Sequence, residues 1–429
     1  MDLEGIYHIW EKSTGISTDS RSVKKGNLFF SLSGDNFNGN KFATQAIEKG
    51  AIAAIIDDPD YKTDDNYILV DDSLDYLQQL SKLHREKLKT PILAITGSNG
   101  KTTTKELISS VLSSQKKISY TKGNLNNHIG VPLSLMEIQP DTEIAIIEMG
   151  ANHIGEIKFL CDIATPDFGI ITNIGKAHLE GFGNYEGVVK AKSELYSAIK
   201  QNKGEVFLNR DDDLLVDLSD GIKSFTYGIN EDADIKGEII KTNPSLEIKW
   251  YKNDEANIIQ TNLYGKYNFP NIMAAIACGI YFGISSTSIS SAIANYIPDN
   301  NRSQLIKAAN NTILMDAYNA NPVSMSGAIN SFVDFHSEEP VLILGDMFEL
   351  GKESTQEHEK IIEQLQGTNF NEVFLVGKEF CKFADKEKFL FFETTENLKS
   401  YLDVNPLKNK TILIKGSRGM KLEMLMEKF

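Results

Sequence analysis

An α/β fold built on a mostly parallel, doubly wound sheet is the architecture that this sequence predicts. Strand-like apolar segments alternate with helical segments, as at ILAIT (92–96), EIAIIEM (143–149) and FGIITNI (168–174). After ILAIT, a glycine-containing loop leads into a helical pattern whose apolar face is formed by Leu107, Ile108, Val111 and Leu112. Such alternation is typical of parallel sheets covered by helices, because parallel strands need crossover connections.

Changes of composition divide the chain into three predicted domains. The first, 1–88, ends where a proline follows the charged helical segment 73–89. The second, 89–300, ends in the polar stretch IPDNNR. In the third, 301–429, the alternation resumes and predicts a smaller Rossmann-like domain, with the strand candidates TILMDA, VLILGD, EVFLVG and TILIKG.

Charge and apolar content exclude several classes of protein. The formal net charge is -15, which argues against a nucleic-acid-binding protein, because such a protein needs a basic face. The N-terminal MDLEGIYHIW lacks the basic and apolar regions of a signal peptide, and no apolar run approaches the ~18 residues that span a bilayer. Cys161, Cys278 and Cys381 are spaced too widely for a disulfide framework or a zinc site. We therefore expect a cytoplasmic monomer without nucleic-acid or membrane partners.

The segment TGSNGKTT (96–103) is a predicted phosphate-binding loop between a strand and a helix. Lys101 is predicted to reach the β- and γ-phosphates of ATP, and the Thr102 hydroxyl to bind Mg²⁺. The spacing is shortened, because Ile95 stands where the common loop has its first glycine. The alternative is a glycine turn with a solvated lysine. The predicted ATP contacts of this loop are Gly97, Ser98, Asn99, Gly100, Lys101, Thr102 and Thr103.

Two further candidates follow predicted strands. Glu148 ends the strand EIAIIE, at the sheet edge where doubly wound folds place their ligands, and its carboxylate could bind Mg²⁺. His178 follows the next strand and is predicted at the same edge. The alternatives are a solvated acid at a strand end and a structural histidine.

Three residues outside these strands have both a functional and an ordinary interpretation. Lys192 lies with Lys190 on the predicted helix 185–200, which could simply present a charged face. Asn271 could cap a buried helix or bind a nucleotide base. Asp316 ends the first strand of the third domain, from where an acid can bind a ribose.

Longer strings resemble the Mur ligase family, in the family's order and along essentially the whole chain. The loop string TGSNGKTTTKE is followed by GNLNNHIGVPLSL, EMGANHIGEI, ITNIGKAHLEGFG and AKSELY. GKYNFPNIMAA resembles the adenine-proximal segment of the family, and STDSR with GNLFFSLSGDNFNG resembles its UDP-binding domain. The resemblance implies a three-domain α/β fold with a central phosphate-loop sheet and a C-terminal Rossmann-like domain that presents an amine substrate.

Four strings resemble one branch of this family, the ligases that add D-alanyl-D-alanine to UDP-N-acetylmuramoyl-tripeptide: EMGA with GEI, YNANP, GDMFELG and KGSRGM. The resemblance implies an ATP-dependent enzyme of peptidoglycan precursor synthesis, with those two molecules as its substrates and an acyl phosphate as its intermediate. Three alternatives stay open: a folate-polyglutamate-type ligase, a P-loop ATPase that couples hydrolysis to motion, and a catalytically inactive UDP-sugar-binding module.

Roles are implied, by resemblance, for residues at matching positions. The implied catalytic residues are Lys101, Glu148, His178 and Lys192. Two Mg²⁺ ions are implied at Thr102, Glu148, His178 and Lys192, the last as a carbamylated lysine. Further ATP contacts are implied for Asn271, Arg302 and Asp316. Substrate contacts are implied for Ser20, Arg21, Asn126, Asn127, Asn319 and Arg418.

Overall fold

Three sheets, each covered by helices, make up the fold of the protein. The computed structural model describes residues 2–253, 255–334, 339–370, 372–385 and 388–429. In the described part of the chain, no helix combines the length and the apolar character needed to cross a bilayer. The fold class predicted from the alternation of strands and helices is confirmed.

The first sheet has four parallel strands in the order β1-β2-β3-β4. Its elements are α1 (Leu3–Glu11), β1 (Ile16–Ser17), β2 (Leu28–Phe30), α2 (Ala43–Glu48), β3 (Ala53–Ile56), β4 (Tyr67–Leu69) and α3 (Ser73–Lys87). Asp72 caps α3 by accepting hydrogen bonds from the backbone N–H groups of Leu74 and Asp75, which satisfies two of the unpaired donors of the first turn.

The second sheet is the largest, with nine strands in the order β13-β12-β11-β10-β9-β8-β5-β7-β6. Its strands are β5 (Ile92–Thr96), β6 (Ile118–Tyr120), β7 (Ile144–Glu148), β8 (Phe168–Ile171), β9 (Glu205–Asn209), β10 (Lys223–Gly228), β11 (Ile235–Lys241), β12 (Glu247–Lys252) and β13 (Glu255–Gln260). Its helices are α4 (Lys101–Ser113), α5 (Gly130–Met136), α6 (Glu156–Ala164), α7 (Leu179–Phe182), α8 (Tyr185–Gln201), α9 (Asp213–Leu218), α10 (Phe269–Tyr281) and α11 (Ser286–Asn295).

Both faces of β5 are buried, as the continuous apolar run ILAIT requires. Ile92 and Ala94 pack in one apolar cluster with α6 and α8, whereas Leu93 and Ile95 pack in another with α4 and α10. The strand therefore lies between two layers of helices. This position fixes where the loop after Thr96 leaves the sheet.

Strands β9 to β13 were not predicted from the sequence, and three of them form an antiparallel extension of the sheet. The strand β12 shows why the antiparallel part was missed. It alternates buried and partly exposed residues, with Ile248 and Trp250 inside and the partly exposed Lys249 between them. Its apolar residues are therefore too few for the continuous run by which the buried parallel strands were recognised.

The third sheet has six strands in the order β14-β15-β19-β16-β17-β18, all parallel except β14. Its strands are β14 (Gln304–Ala308), β15 (Asn311–Asp316), β16 (Pro340–Gly345), β17 (Glu372–Val376), β18 (Leu390–Phe392) and β19 (Thr411–Lys415). Its helices are α12 (Pro322–Val333), α13 (Ser354–Gln366), α14 (Lys378–Cys381) and α15 (Thr395–Val404). Short 3₁₀ helices occur at Gly39–Phe42, Pro59–Tyr61, Lys266–Asn268, Gly351–Glu353, Arg418–Met420 and Leu422–Lys428.

The helix α3 joins the first sheet region to the central one through two buried side chains. Arg85 donates hydrogen bonds to the carbonyl groups of Ala164 and Thr165 and forms an ion pair of 2.9 Å with Asp167. His84 lies between the Tyr7 hydroxyl, at 3.0 Å from Nδ1, and the Ile138 carbonyl, at 2.9 Å from Nε2. A carbonyl can only accept, so Nε2 carries the proton and Nδ1 accepts from tyrosine.

We expect acid to destabilise this junction through His84. Burial lowers the pKa of His84 below its usual 6.5, so below that pH the unfolded chain takes up a proton that the folded chain resists. The stability contributed by neutral His84 is thus present above about pH 6.5 and is lost as the pH falls. His84→Gln should be less stable than the parent at pH 7.5, by about 1–3 kcal/mol. The difference should shrink at pH 5, as measured by urea unfolding at both pH values. A constant difference would contradict the assignment.

Candidate functional site

The carboxyl ends of β5, β7 and β8 open into a cleft of about 850 Å³ between the central sheet region and the third sheet region. Among the residues predicted to be functional, those that line the cleft are Ser98, Asn99, Gly100, Lys101, Thr102, Thr103, Asn126, Asn127, Glu148, His178, Asn271, Arg302, Asp316 and Asn319. Residues far apart in the sequence therefore meet in one place.

The predicted phosphate-binding loop, residues 96–103, is held in shape by close packing at Gly97 and Gly100. Gly97 has a φ of 141°, and a Cβ there would lie 2.0 Å from Oγ1 of Thr172. Gly100 has a φ of 78°, and a Cβ there would lie 2.6 Å from Oδ1 of Asn271. Both positions therefore exclude any side chain. The helix α4 begins directly after Gly100, so its N-terminus faces the cleft.

Lys101 is the first residue of α4 and folds back over the loop. Its Nζ donates hydrogen bonds to the carbonyl oxygens of Gly97, at 2.6 Å, and Ser98, at 3.2 Å. Burial lowers the pKa of Lys101 to about 8, against the opposing attraction of Glu148. The ammonium group is thus poorly solvated, and an anion in the loop would be a stronger partner than the two carbonyl groups.

Glu148 is a buried carboxylate at the end of β7, with 1% of its surface exposed. Its Oε1 accepts hydrogen bonds from Thr102 Oγ1, at 3.2 Å, and from Asn126 Nδ2, at 2.7 Å. Its Oε2 has no hydrogen-bond partner and lies 4.0 Å from Nζ of Lys105, a lysine that is also 1% exposed. A buried carboxylate oxygen without a hydrogen bond is costly, so this one suits a cation.

Lys192 and Lys190 occupy opposite environments on α8. Lys190 is exposed, whereas Lys192 is 2% exposed, with its Nζ 3.4 Å from the Ala151 carbonyl and 5.3 Å from the centroid of the Phe182 ring. Burial, followed by repulsion from Lys101, lowers the pKa of Lys192 to about 7. The ordinary interpretation, a solvated charged face, therefore does not apply to Lys192.

His178 lies immediately before α7, in the left-handed conformation with a φ of 52°. Its Nδ1 contacts the carboxylate of Glu349, which comes from the third sheet region. The ring also faces Phe182 edge-on, with 6.4 Å between centroids. Because Nζ of Lys192 lies 5.3 Å from the centroid of that same ring, His178 and Lys192 both lie close to Phe182.

The third sheet region adds an aromatic and charged wall to the cleft. The guanidinium of Arg302 stacks on the Tyr318 ring, 3.6 Å from its centroid. Asp316 accepts a hydrogen bond of 3.1 Å from the Ser303 backbone and forms a 2.6 Å ion pair with Lys415. Asp316 and Lys415 stand at the adjacent carboxyl ends of β15 and β19, the edge at which nucleotides are usually bound in doubly wound folds.

Some predicted residues lie elsewhere. Ser20 and Arg21 are in the first sheet region, where Ser20 donates to Gln45 and Arg21 forms an exposed ion pair with Asp19. Arg418 is exposed, 5.4 Å from the centroid of the Tyr318 ring. Gly97 shapes the loop, and Lys192 lies beneath the cleft; neither is among the residues that line it.

The site residues that were missed from the sequence include Lys105, Tyr318 and Glu349. Each lies inside a string that was recognised: TTTKE, YNANP or GDMFELG. These strings identified segments of the site, but they did not show which of their side chains contact other residues of the site. The signal that could have found Glu349 is a charged residue between Phe348 and Leu350, where the charge needs a partner. Lys105 stands between Thr104 and Glu106, so no local signal separates it from an ordinary helix lysine.

Three family models match the chain, one for each sheet region. They are described as Mur ligase family, catalytic domain (residues 12–85), Mur ligase middle domain (95–279) and Mur ligase, glutamate ligase domain (301–418). The chain belongs to the Mur ligase family. The resemblance seen in the sequence strings is thereby confirmed for the whole order of domains.

Curated relatives of this Mur ligase are named UDP-N-acetylmuramoyl-tripeptide--D-alanyl-D-alanine ligase. The protein of Bacillus subtilis (strain 168) is 35% identical over 424 residues, which cover 96% of this chain and 92% of the relative. The protein of Escherichia coli (strain K12) is 32% identical over 424 residues, with 95% and 92% covered.

Solved structures of Mur ligases agree with the fold. MurF from Acinetobacter baumannii is 29% identical, with a TM-score of 0.87 over 99% of this chain and 97% of that one. MurF ligase from Thermotoga maritima, in complex with ADP, is 26% identical, with a TM-score of 0.85 over 98% and 97%. The folylpolyglutamate synthase of Mycobacterium tuberculosis is 13% identical with a TM-score of 0.62, a likeness of fold alone.

Proposed function

We propose that this Mur ligase joins D-alanyl-D-alanine to UDP-N-acetylmuramoyl-tripeptide, with conversion of ATP to ADP and phosphate, in peptidoglycan precursor synthesis. The observation that carries the proposal is the shared cleft, which sets a phosphate-binding loop against a wall from another sheet region. The relatives named for this reaction match the chain over nearly its full length. Amide formation from a carboxylate needs activation, and a phosphate loop facing a second substrate region suits that need.

The reaction has two steps. The terminal carboxylate of the tripeptide attacks the γ-phosphorus of ATP, giving an acyl phosphate and ADP. The amine of D-alanyl-D-alanine then attacks the acyl carbon, and the tetrahedral intermediate expels phosphate while the amine loses a proton. Lys101 would exchange its hydrogen bonds to the Gly97 and Ser98 carbonyl groups for bonds to phosphate oxygens. Its positive charge would then offset the negative charge that accumulates as the carboxylate approaches the γ-phosphate.

We assign Mg²⁺ sites to this cleft because the donor set fits a hard cation. Glu148 has a buried oxygen without a hydrogen bond, and the Thr102 hydroxyl lies beside its other oxygen. Within the described residues, no group of three or more His, Cys, Asp or Glu side chains could hold a metal by itself. Phosphate oxygens would therefore complete the coordination, as is usual for Mg²⁺. Two ions, held by Thr102, Glu148, His178 and the carbamate of Lys192, would neutralise charge during phosphoryl transfer.

Lys192 suits carbamylation because its amine is largely buried and its pKa is lowered to about 7. Only the neutral amine attacks CO₂, forming an N–C bond and releasing one proton. The product is a carbamate with two oxygens and a negative charge, which replaces a cation that would repel both Lys101 and a metal ion.

We propose a division of labour among three domains with the predicted boundaries. Domain 1–88 would bind the UDP part of the substrate, with Ser20 and Arg21 at its motif. Domain 89–300 would bind ATP. Domain 301–429 would present the dipeptide with Asn319 and Arg418 and would contact ATP through Arg302 and Asp316.

Phosphate release tests the function against its rivals. We expect rapid phosphate formation from ATP only when UDP-N-acetylmuramoyl-tripeptide and D-alanyl-D-alanine are both present, because the first substrate supplies the nucleophile and the second completes turnover. Each substrate omitted in turn, and a folate acceptor with glutamate, serve as controls. ATP hydrolysis that ignores the peptide substrate would indicate a motor-type ATPase. Absence of hydrolysis under every condition would indicate an inactive binding module.

Lys101→Ala should lower turnover by about 10²-fold or more, because a preorganised cation at the transferred phosphate is lost. Steady-state rates of phosphate release would measure it. Lys117→Ala, at an exposed position four residues beyond the other end of α4, is the matched control and should keep normal turnover. Near-normal turnover of the Lys101 variant, with the fold intact by circular dichroism, would reject the role.

Lys192→Ala should lose most activity, whereas Lys190→Ala on the exposed face of the same helix should keep it. A small carboxylate such as acetate should restore part of the activity of Lys192→Ala by replacing the carbamate oxygens. ¹³C NMR of the parent enzyme in ¹³C-bicarbonate should show one carbamate signal that Lys192→Ala lacks. If the parent enzyme lacks that signal and Lys192→Ala is fully active, the assignment of Lys192 as a carbamylated lysine is wrong.

A further inference from the structure

A contact between a histidine and a carboxylate joins the two sides of the cleft at His178, the histidine predicted to bind metal. Glu349, from the third sheet region, places its carboxylate on Nδ1 of His178. Close by, the Glu180 backbone N–H donates to the Glu349 carbonyl at 3.2 Å. The two segments are therefore joined by main chain as well as side chain, and the joint lies on the wall of the cleft.

Both partners of this contact adopt the left-handed backbone conformation, with a φ of 52° at His178 and 63° at Glu349. Such residues cost free energy unless the surroundings fix them, and they cluster where a side chain must be aimed. Two such residues meet at this interface, and neither belongs to a strand of either sheet.

The loop that carries Glu349 is rigidly anchored. Asp346 accepts hydrogen bonds from the backbone N–H groups at the start of α14, at 2.9 and 3.0 Å. The Met347 N–H donates to Nε2 of the buried His358 at 3.0 Å, and the Phe348 N–H donates to Oγ of Ser417 at 2.8 Å. The carboxylate of Glu349 is thus presented from a fixed support and does not hang from a mobile loop.

We propose that Glu349 is a positioning residue for His178, supplied by the C-terminal domain. By holding Nδ1, it orients the ring so that Nε2 is the nitrogen left for a metal ion. Carboxylates commonly act in this way on metal-binding histidines, fixing both tautomer and ring direction. The metal site would then be complete only when the C-terminal domain lies against the central domain. This inference rests on the metal-binding role of His178 in the proposed function.

A neighbouring ion pair provides a matched control. Glu353 lies in the 3₁₀ helix that follows the same loop and pairs with Lys176 of the central domain at 3.4 Å. Glu353→Ala removes another carboxylate contact across the same interface and leaves the contact between Glu349 and His178 in place. General weakening of the interface can therefore be separated from loss of histidine orientation.

The experiment measures Mn²⁺ affinity by electron paramagnetic resonance, with the full-length protein and a non-hydrolysable ATP analogue. Glu349→Ala should weaken Mn²⁺ binding by about 10-fold or more, the usual effect of losing such a partner. Glu349→Gln, which still accepts a hydrogen bond, should lie between the parent and the alanine variant. Glu353→Ala should stay within about twofold of the parent. In the His178→Ala background, Glu349→Ala should have no further effect.

Distinct results overturn distinct claims. If His178→Ala weakens Mn²⁺ binding and Glu349→Ala does not, the positioning role is wrong and the proposed function stands. If Glu353→Ala weakens binding as much as Glu349→Ala, the effect belongs to the interface as a whole and the positioning role is again wrong. If His178→Ala itself has no effect, the metal role of His178 fails, and the inference fails with it. Melting temperatures of all variants exclude unfolding as the cause.

Discussion

The site depends on one constraint, the position of β5 between β7 and β8 in a parallel sheet. Parallel pairing places Ile95 beside Glu148 and Thr96 beside Ile171, so three strands end at the same edge. The phosphate loop, the buried carboxylate and the segment that leads to His178 then leave the sheet together. Each comes from a separate crossover unit, and only strand order makes them neighbours.

Local charge matters more in this cleft than the charge of the whole molecule. The chain carries a net charge of -15, and the cleft wall sets the cations Lys101, Arg302 and Lys415 among the carboxylates Glu148, Glu156, Asp316 and Glu349. Burial lowers the pKa of half-buried Lys101 to about 8, and burial together with repulsion from Lys101 lowers the pKa of Lys192 to about 7. Cations held with so little solvent interact strongly with an arriving phosphate, and the cost of burying them is met by the surrounding fold.

The C-terminal domain contributes side chains to the site as well as covering the cleft. Asn321 donates a 2.7 Å hydrogen bond to Asn99 of the phosphate loop, and Lys176 pairs with Glu357 at 2.9 Å. Together with the contact between Glu349 and His178, these bonds join the carboxyl edges of two sheets face to face. A reaction that must bring ATP, a carboxylate and an amine together without water suits such an arrangement, since closure completes the site.

The sequence by itself determined the fold class, the phosphate loop and the edge where Glu148 stands, because apolar runs, glycines and helix starts are local patterns with local causes. It did not distinguish buried Lys192 from a solvated lysine, and it did not predict β9 to β13; in β12, for example, charged residues interrupt the apolar run. Nor did it reveal Lys105, Tyr318 or Glu349 as neighbours of the cleft. Those facts were decided by tertiary structure alone. Burial and ion pairing depend on which segments the sheets bring together, and the spacing of residues along the chain does not indicate which segments those are.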